Sequence, residues 1–165
     1  MTDLGVTQDQ PAGVLAPLLL GIDHVGIAVA DLDAAIAFHR DVLGNRLVHE
    51  ETNAEQGVRE AMIAVGPDRG QGQQQGDGPP AAMIQLLSPT DPDSAIGRFL
   101  ERHGPGLQQL AYRVDDLDAA SALLRGRGLR LLYDEPRRGT AGSRINFIHP
   151  KDAGGVLVEL VEPAG

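Results

Sequence analysis

Residues Ile22–Val29 read IDHVGIAV and lead directly into the letters ADLDAA, and a second version of this segment occurs in the other half of the chain. The second version is Leu107–Val114, LQQLAYRV, which leads into DDLDAA. Another pair of segments also matches, because Met83–Pro89 reads MIQLLSP and Leu157–Pro163 reads LVELVEP. Self-similarity of this kind indicates two copies of one structural unit, here a strand, a helix and further strands.

The composition is typical of a globular domain with an aliphatic core. The chain has 165 residues, 42 % of them hydrophobic and 22 % charged, and a domain of this size buries about two thirds of its unfolded surface. Only 3 % of the residues are aromatic and Trp is absent, so aromatic stacking is not expected to carry ligand recognition.

The net charge of −9 excludes several classes of function. Lys151 is the only lysine, and no basic field exists that would attract nucleic acid or an anionic membrane. Cys is absent, which excludes disulfides and thiolate chemistry. A secretory signal would require a basic residue near its start, but no Lys or Arg precedes Arg40. No apolar run is long enough to span a bilayer. We therefore expect a cytoplasmic protein without nucleic-acid or membrane partners.

Local patterns predict the elements of each copy. In Asp23–Val29 large aliphatic side chains alternate with small or polar ones, so one face is apolar and the other carries His24. Asp31 is a suitable N-cap for a helix whose apolar positions recur through Leu43, and Gly44 ends that helix.

The same rules divide the whole chain. Residues 1–20 lack periodicity and are predicted to form a flexible tail. Module one (21–89) has predicted strands at 23–29, 47–51, 59–65 and 82–87, a helix at 31–44 and a low-complexity loop at 66–80. A bridge covers residues 90–106 and has a predicted helix over 94–102. Module two (107–163) follows and has predicted strands at 107–114, 129–133, 145–149 and 155–161, a helix over 116–127 and a basic loop at 135–144. The fold class is therefore α+β, with two βαβββ modules in one domain over residues 21–163.

The repeat also predicts one shared polar site. It brings His24 and Gln109 to the same face of equivalent strands, and it places Gln85 and Glu159 at matching positions in the two fourth strands. One imidazole, two amide oxygens and one carboxylate are potential ligands of a cation. Each of these residues taken singly is more often a surface or hydrogen-bonded core residue, whereas polar residues at symmetry-matched positions favour a shared site.

Five stretches of the chain resemble the methylmalonyl-CoA epimerase family of the vicinal oxygen chelate superfamily, which also contains glyoxalase I and extradiol dioxygenases. They are IDHVGIAVADLDAA, EQGVREAM, QLLSP, YDEPRRGTAGSRINFIHPK and GVLVELVEP. The resemblance extends over residues 22–163 apart from the low-complexity loop, and the dense match over 133–151 is specific to the epimerases. It implies paired βαβββ modules in a curved mixed sheet around a divalent metal ion, and a homodimer.

By this resemblance the metal ligands are His24, Gln85, Glu159 and the residue at position 109. Epimerases of this family typically have two successive His where this chain has Gln108 and Gln109, and the second His is the ligand. Gln109 offers a neutral carbonyl oxygen that donates more weakly than imidazole, so we expect lower metal affinity and a shift toward harder ions such as Mn²⁺. Co²⁺ is the cofactor that the resemblance favours, with Mn²⁺ or Zn²⁺ as alternatives.

The resemblance assigns the catalytic base to Glu60, which lies in the matched stretch EQGVREAM. The alternative from the residues alone is a solvated carboxylate paired with Arg59. Epimerisation at C2 of a malonyl thioester removes a proton from one face and returns one to the other, so a base is needed on each side. A divalent ion chelated by the substrate would stabilise the enolate. Glu159 and a metal-bound water are the candidates for the second base.

Cations in the second half of the chain are candidates for binding the phosphates of coenzyme A, which the overall charge repels. These cations are Arg137, Arg138, Arg144 and Lys151. A solvated basic turn is the alternative for the first two. Together with the matched stretches, they give a predicted set of substrate-binding residues that comprises Gln56, Ser143, Arg144 and Lys151.

The resulting prediction is a metal-dependent isomerase that interconverts the (2R) and (2S) forms of methylmalonyl-CoA or a close 2-alkylmalonyl-CoA. Two alternatives stay open. A glyoxalase-type lyase would use the same residues on a hemithioacetal, although the epimerase-specific stretch argues against it. A metal-free member that binds a small molecule is the second alternative, and the replacement at Gln109 keeps it open.

Overall fold

The computed structural model describes residues 13–66 and 82–165 and contains one mixed sheet with three helices packed on it. The strands are β1 Leu19–Ala28, β2 Arg46–Asn53, β3 Val58–Ala64, β4 Met83–Pro89, β5 Gly106–Val114, β6 Arg137–Arg138, β7 Arg144–Ile148 and β8 Val158–Glu162. The helices are α1 Leu32–Ala37, α2 Ala95–His103 and α3 Leu117–Gly126. Within these ranges the longest helix has 10 residues, and none is long and apolar enough to cross a membrane.

The strand order, β2-β3-β4-β1-β5-β8-β7-β6, reads as two copies of one four-stranded unit placed back to back. In each copy the first strand pairs parallel with the fourth, β1 with β4 and β5 with β8. The two copies join through the antiparallel pairing of β1 with β5. The predicted fold class, α+β with two paired βαβββ modules in a mixed sheet, is confirmed.

Each module has its own aliphatic core between its sheet and its helix. In module one the helix α1 contributes Leu32 and Ile36, which pack against buried aliphatic residues of β3 and β4. In module two α3 contributes Leu117, Ala120 and Leu124 in the equivalent way. Fully burying a side chain of this size contributes about 1.5–3 kcal/mol, so these two cores hold the helices on one face of the sheet.

The two helices also begin in the same way. Asp31 is the N-cap of α1, and its Oδ1 accepts a hydrogen bond of 2.9 Å from the backbone N–H of Ala34. Asp116 is the N-cap of α3, and its Oδ1 accepts a bond of 2.8 Å from the N–H of Ala119. The repeated DLDAA letters therefore encode a repeated helix start.

The predicted tail over residues 1–20 is wrong for its last part. Leu15 and Leu18 pack against the core of module two, and the Leu18 carbonyl accepts a hydrogen bond of 2.9 Å from the Asp115 N–H. β1 begins at Leu19. The aliphatic side chains of this segment account for the difference, because burying them favours an ordered position. Residues 1–12, and residues 67–80 of the predicted loop, lie outside the described residues.

The predicted strand at 129–133 is also wrong. Pairing there is limited to a bridge between Leu131 and Ile148 with two flanking backbone bonds of 2.9 Å, from the Leu132 N–H to the Phe147 carbonyl and from the His149 N–H to the Arg130 carbonyl. The edge strand of module two is β6, inside the predicted basic loop. The side chain of Asn146 accounts for the end of this pairing at Tyr133. Its Oδ1 accepts from the Tyr133 N–H at 3.2 Å, and its Nδ2 donates to the Tyr133 carbonyl at 3.0 Å. These bonds satisfy the backbone of Tyr133 without a strand partner.

The buried apolar face of the first helix ends earlier in the chain than the pattern predicted. After Ala37 the chain continues as a π-helical turn over Phe38–Val42, which shifts the side chains that follow. Val42 and Leu43, expected on the apolar face, are 67 % and 51 % exposed. Gly44 ends the segment with a φ of 69°, as the sequence indicated.

We expect Asp116→Ala to lower the free energy of unfolding by about 0.5–2 kcal/mol, because the N–H of Ala119 loses its acceptor. Chemical denaturation followed by circular dichroism measures the change. Asp115→Ala is the matched control, since Asp115 is exposed and precedes the cap. Equal effects of the two substitutions would contradict the capping role.

Candidate active site

Four side chains predicted to share a site do meet in the structure. The Gln109 Nε2 lies 2.6 Å from the Glu159 Oε2, 3.0 Å from the Gln85 Oε1 and 3.3 Å from the His24 Nε2. The His24 Nε2 is 3.1 Å from the same Glu159 Oε2. All four residues are buried. We refer to His24, Gln85, Gln109 and Glu159 together as the polar cluster.

Strand register assembles the cluster from the four central strands. Gly26 of β1 is paired with Gln85 on its parallel neighbour and with Gln109 on its antiparallel neighbour. A Cβ atom at Gly26 would lie 2.4 Å from the Cγ of Gln109, which is far inside contact distance. Gly26 is therefore required so that the side chain of Gln109 can cross β1 and reach the other three residues.

The orientation of His24 is set by its neighbour in the chain. The His24 Nδ1 is 2.8 Å from the Asp23 Oδ1, and Arg113 binds the other oxygen of Asp23 at 2.8 Å. Burial opposes a positive charge on the ring, but the hydrogen bonds to Asp23 and Glu159 outweigh it and raise the pKa of His24 to about 9. Asp23 was not predicted as a site residue, although a carboxylate behind a ligand histidine is a common arrangement.

Glu60, predicted as the catalytic base, is only 3 % exposed and lies directly beside the cluster. Its Oε2 accepts a bond of 3.0 Å from the Gln85 Nε2. The alternative of a solvated ion pair with Arg59 is wrong, because Arg59 binds Asp33 and Glu50. The structure therefore places the carboxylate of Glu60 inside the site.

The charge state of Glu60 is sensitive to its surroundings. Burial, together with the negative charges of Glu51 and Glu159, raises the pKa of Glu60 to about 7, and the bond from Thr140 acts in the opposite direction. Glu51 faces Glu60 directly across the β2–β3 pairing. A carboxyl group with a pKa near neutrality can both take up and release a proton under physiological conditions.

Thr140 belongs to the site but was not predicted. Its Oγ1 donates to the Glu60 Oε1 at 2.8 Å and accepts from the Gln85 Nε2 at 2.7 Å. The residue begins a short turn in which Ala141 has a φ of 53°, and the Ala141 N–H donates to the Glu51 Oε2 at 3.1 Å. The only feature of the sequence that could have indicated a role for Thr140 is its position in the matched stretch RRGTAGSR.

Two cavities meet at the cluster. The first, of about 390 Å³, is lined by Glu60, Gln85 and Gln109. The second, of about 330 Å³, is lined by His24 and Asp23 on the other side. Thr140 and Glu159 line both cavities, so the cluster is accessible to a ligand from either side.

The predicted substrate-binding residues are not all near these cavities. Gln56 lines the first cavity and Ser143 lines the second. Arg144 binds Asp118 and Glu162, and Lys151 is exposed; neither residue lines either of these two cavities. Their positions in the single chain therefore do not support direct contact with a ligand in these cavities.

Two other arginines line the first cavity. Arg98, on α2, was not predicted, because nothing in the bridge pointed to the site. Arg137 was a candidate for the phosphates, and it lies 4.5 Å above the Tyr133 ring and 3.2 Å from the Glu55 Oε1. Arg138 instead lies 3.6 Å from Glu51. The first cavity therefore combines an acidic interior with cations at Arg98 and Arg137.

The ligand types of the cluster fit a divalent cation. An imidazole nitrogen, a carboxylate oxygen and amide oxygens suit ions such as Mn²⁺, Co²⁺ or Zn²⁺. Among the described residues no group of three or more His, Asp or Glu is arranged to hold a metal, so the set depends on Gln85 and Gln109. Gln85 already directs its oxygen into the cluster, whereas Gln109 directs its NH₂ group there.

Known structures and sequences resemble the chain over most of its length. Methylmalonyl-CoA epimerase from Mycobacterium tuberculosis is 57 % identical, with a TM-score of 0.79 and 95 % of each chain covered. A methylmalonyl-CoA epimerase in complex with methylmalonyl-CoA and NH₄⁺ is 48 % identical, with a TM-score of 0.79 over 89 % of this chain and 96 % of that chain. The ethylmalonyl-CoA/methylmalonyl-CoA epimerase of Cereibacter sphaeroides is 36 % identical over 84 % of this chain and 95 % of its own length.

The family model of the glyoxalase/bleomycin resistance protein/dioxygenase superfamily matches residues 23–147, which include His24, Glu60, Gln85 and Gln109. The duplicated modules of the mixed sheet agree with this match. The predicted resemblance is confirmed, and the chain belongs to the methylmalonyl-CoA epimerase family of this superfamily.

Proposed function

We propose that the chain catalyses the epimerisation at C2 of methylmalonyl-CoA or of a close 2-alkylmalonyl-CoA. The observation that carries this proposal is the buried carboxyl group of Glu60, whose pKa is raised to about 7 beside a cluster of cation ligands. The similarity to epimerases, one of them bound to methylmalonyl-CoA, supports the substrate class.

The chemistry requires a base of moderate strength in a site that stabilises negative charge. The proton at C2 is acidic because a carboxylate and a thioester carbonyl flank that carbon, and its removal leaves an enolate. Glu60 would take this proton, and a pKa near the working pH is favourable for proton transfer in both directions. Thr140 and Gln85 hold the two oxygens of Glu60 and so fix the direction in which the carboxylate points.

A return of the proton to the opposite face requires a second group, and we assign Glu159 to this role. Glu159 is buried, lines the first cavity with Glu60 and lies on a different strand of the site. The two carboxylates belong to opposite modules, which favours approach to C2 from two sides.

His24, Gln85, Gln109 and Glu159 would hold a divalent ion, with Co²⁺ favoured by the family resemblance and Mn²⁺ or Zn²⁺ as alternatives. When bound, such an ion supplies positive charge that stabilises the enolate oxygens. A relative is described as a complex with methylmalonyl-CoA and NH₄⁺, which supports ion binding by a protein of this family. The homodimer and the cytoplasmic location remain predictions. Light scattering of the purified protein measures whether it is a dimer.

We expect Glu60→Gln to lower the rate of deuterium incorporation at C2 of (2R)-methylmalonyl-CoA by on the order of 10²–10⁴-fold, because the amide cannot accept the proton. Mass spectrometry of the substrate incubated in D₂O measures the exchange. Because the uncharged amide removes a buried carboxylate, the thermal stability at pH 8 should not fall.

Glu55→Gln is the matched control, since Glu55 lines the same cavity and is half exposed. Deuterium exchange that is absent in the wild-type protein would contradict the epimerase proposal. Turnover of a hemithioacetal would then identify a lyase, and tight binding without turnover would identify a binding protein.

Thr140→Val is expected to move the acid limb of the pH profile of kcat/KM to higher pH. The Thr140 hydroxyl stabilises the ionised form of Glu60, so its removal raises the pKa of Glu60 further above about 7. A larger fraction of Glu60 is then protonated and inactive at pH 7. Thr140→Ser retains the hydroxyl and should keep the wild-type profile; a shift of the same size in both variants would rule out the hydroxyl as the cause.

Arg98→Gln and Arg137→Gln are each expected to raise KM by roughly tenfold with little change in kcat, because each removes one charged hydrogen bond to the phosphates of coenzyme A. Steady-state kinetics with methylmalonyl-CoA separates the two constants. Lys151→Gln is the control and should leave KM unchanged, since Lys151 lines neither cavity. If only Lys151→Gln raises KM, the ligand does not occupy the first cavity through these arginines.

A further inference from the structure

The NH₂ group of Gln109 lies at the place where the other three cluster residues converge. Its two hydrogens have two oxygen acceptors, the Glu159 Oε2 at 2.6 Å and the Gln85 Oε1 at 3.0 Å. The His24 Nε2 is a third neighbour at 3.3 Å. An uncharged side chain of the protein therefore fills the central position that a bound cation would take.

Electrostatics determines which end of the amide points inward. If the Gln109 oxygen replaced the nitrogen, it would face two oxygens at 2.6 Å and 3.0 Å, one of them on a carboxylate, and its one possible donor among the three would be the more distant His24 Nε2 at 3.3 Å. That arrangement places acceptors against each other in a buried site, where unpaired polar groups are costly. A positive ion among these oxygens would reverse the preference, because the amide oxygen would then become a ligand.

The stem of the side chain cannot move away easily. A Cβ at Gly26 would be 2.4 Å from the Gln109 Cγ and 3.0 Å from its Cδ, so the stem lies flat against the backbone of β1. Rotation about the Cγ–Cδ bond of Gln109 exchanges the amide nitrogen and oxygen without moving Cγ or Cδ. The amide is therefore confined to two orientations, NH₂ inward or oxygen inward.

We propose that Gln109 closes the polar cluster with its own NH₂ group when no ion is bound, and that it turns over to admit a divalent ion. The inference rests on the proposed role of the cluster as a cation site. Ion binding must break the two bonds from the amide, so the ion competes with the protein's own donor and binds weakly. The ion-free chain keeps every cluster residue hydrogen-bonded and stays folded.

Gln109→Glu tests this proposal, because it replaces the NH₂ group with an oxygen at nearly constant shape. Without the amide donor, the cluster holds facing carboxylates, and the variant should have a lower melting temperature in EDTA than the wild-type chain. Addition of Mn²⁺ should restore its stability. Titration calorimetry with Mn²⁺ alone should show an affinity higher by at least about tenfold than in the wild-type chain.

Gln108→Glu is the matched control, with the same change of charge one residue away, on the wall of the first cavity but not among the four cluster residues. It should show a wild-type affinity for Mn²⁺. The proposal is overturned if Gln109→Glu has the wild-type melting temperature in EDTA, or if its affinity for Mn²⁺ does not exceed those of the wild-type and Gln108→Glu proteins.

A second measurement on the wild-type chain is independent of the folding of any variant. The side-chain NH₂ resonances of Gln109 should show protection from solvent exchange in EDTA and should change position at saturating Zn²⁺. Unchanged resonances at saturation would contradict the turnover of the amide. These measurements use no substrate, so their failure leaves the epimerase reaction to be decided separately by deuterium exchange.

Discussion

The antiparallel pairing of β1 with β5 is the contact on which both the fold and the site depend. It joins the half-sheets of the two modules, and its register places Gly26 opposite Gln109. Side chains alternate along a strand, so the same register directs His24 and Gln109 to the polar cluster while Ile27 faces the core under α1. A slip by one residue would exchange the two faces, burying polar groups among aliphatic ones. The aliphatic cores therefore hold the register that the site requires.

The buried network separates two carboxylates that would otherwise behave alike. Glu159 is surrounded by N–H groups of Gln109 and His24. Glu60 receives weaker, uncharged donors and faces Glu51, and its pKa is raised to about 7. Burial opposite Glu51 therefore suits Glu60 to exchange protons near neutral pH, whereas Glu159 lies among the side chains that would hold a cation.

The distribution of charge explains how an acidic chain can bind an acidic ligand. The net charge of −9 repels phosphates at long range, but salt screens such repulsion beyond about 8–10 Å. Within that distance Arg98 and Arg137 line the first cavity. Of the other arginines that the sequence singled out, Arg138 lies beside Glu51 and Arg144 binds acidic residues of its own module. Local position, rather than the number of cations in a segment, decides which of them can contact a ligand.

The sequence by itself determined the duplication, the helix starts and the positions of His24, Gln85 and Glu159, because strand alternation and helix caps are local rules that repeat with the segments. Only the tertiary structure decided that Thr140 contacts Glu60, a residue 80 positions earlier in the chain, and that the amide of Gln109 points its nitrogen inward. Periodicity states which face of an element a side chain occupies. It does not indicate which distant group forms a hydrogen bond with that side chain. The partner depends on how segments far apart in the chain pack against each other.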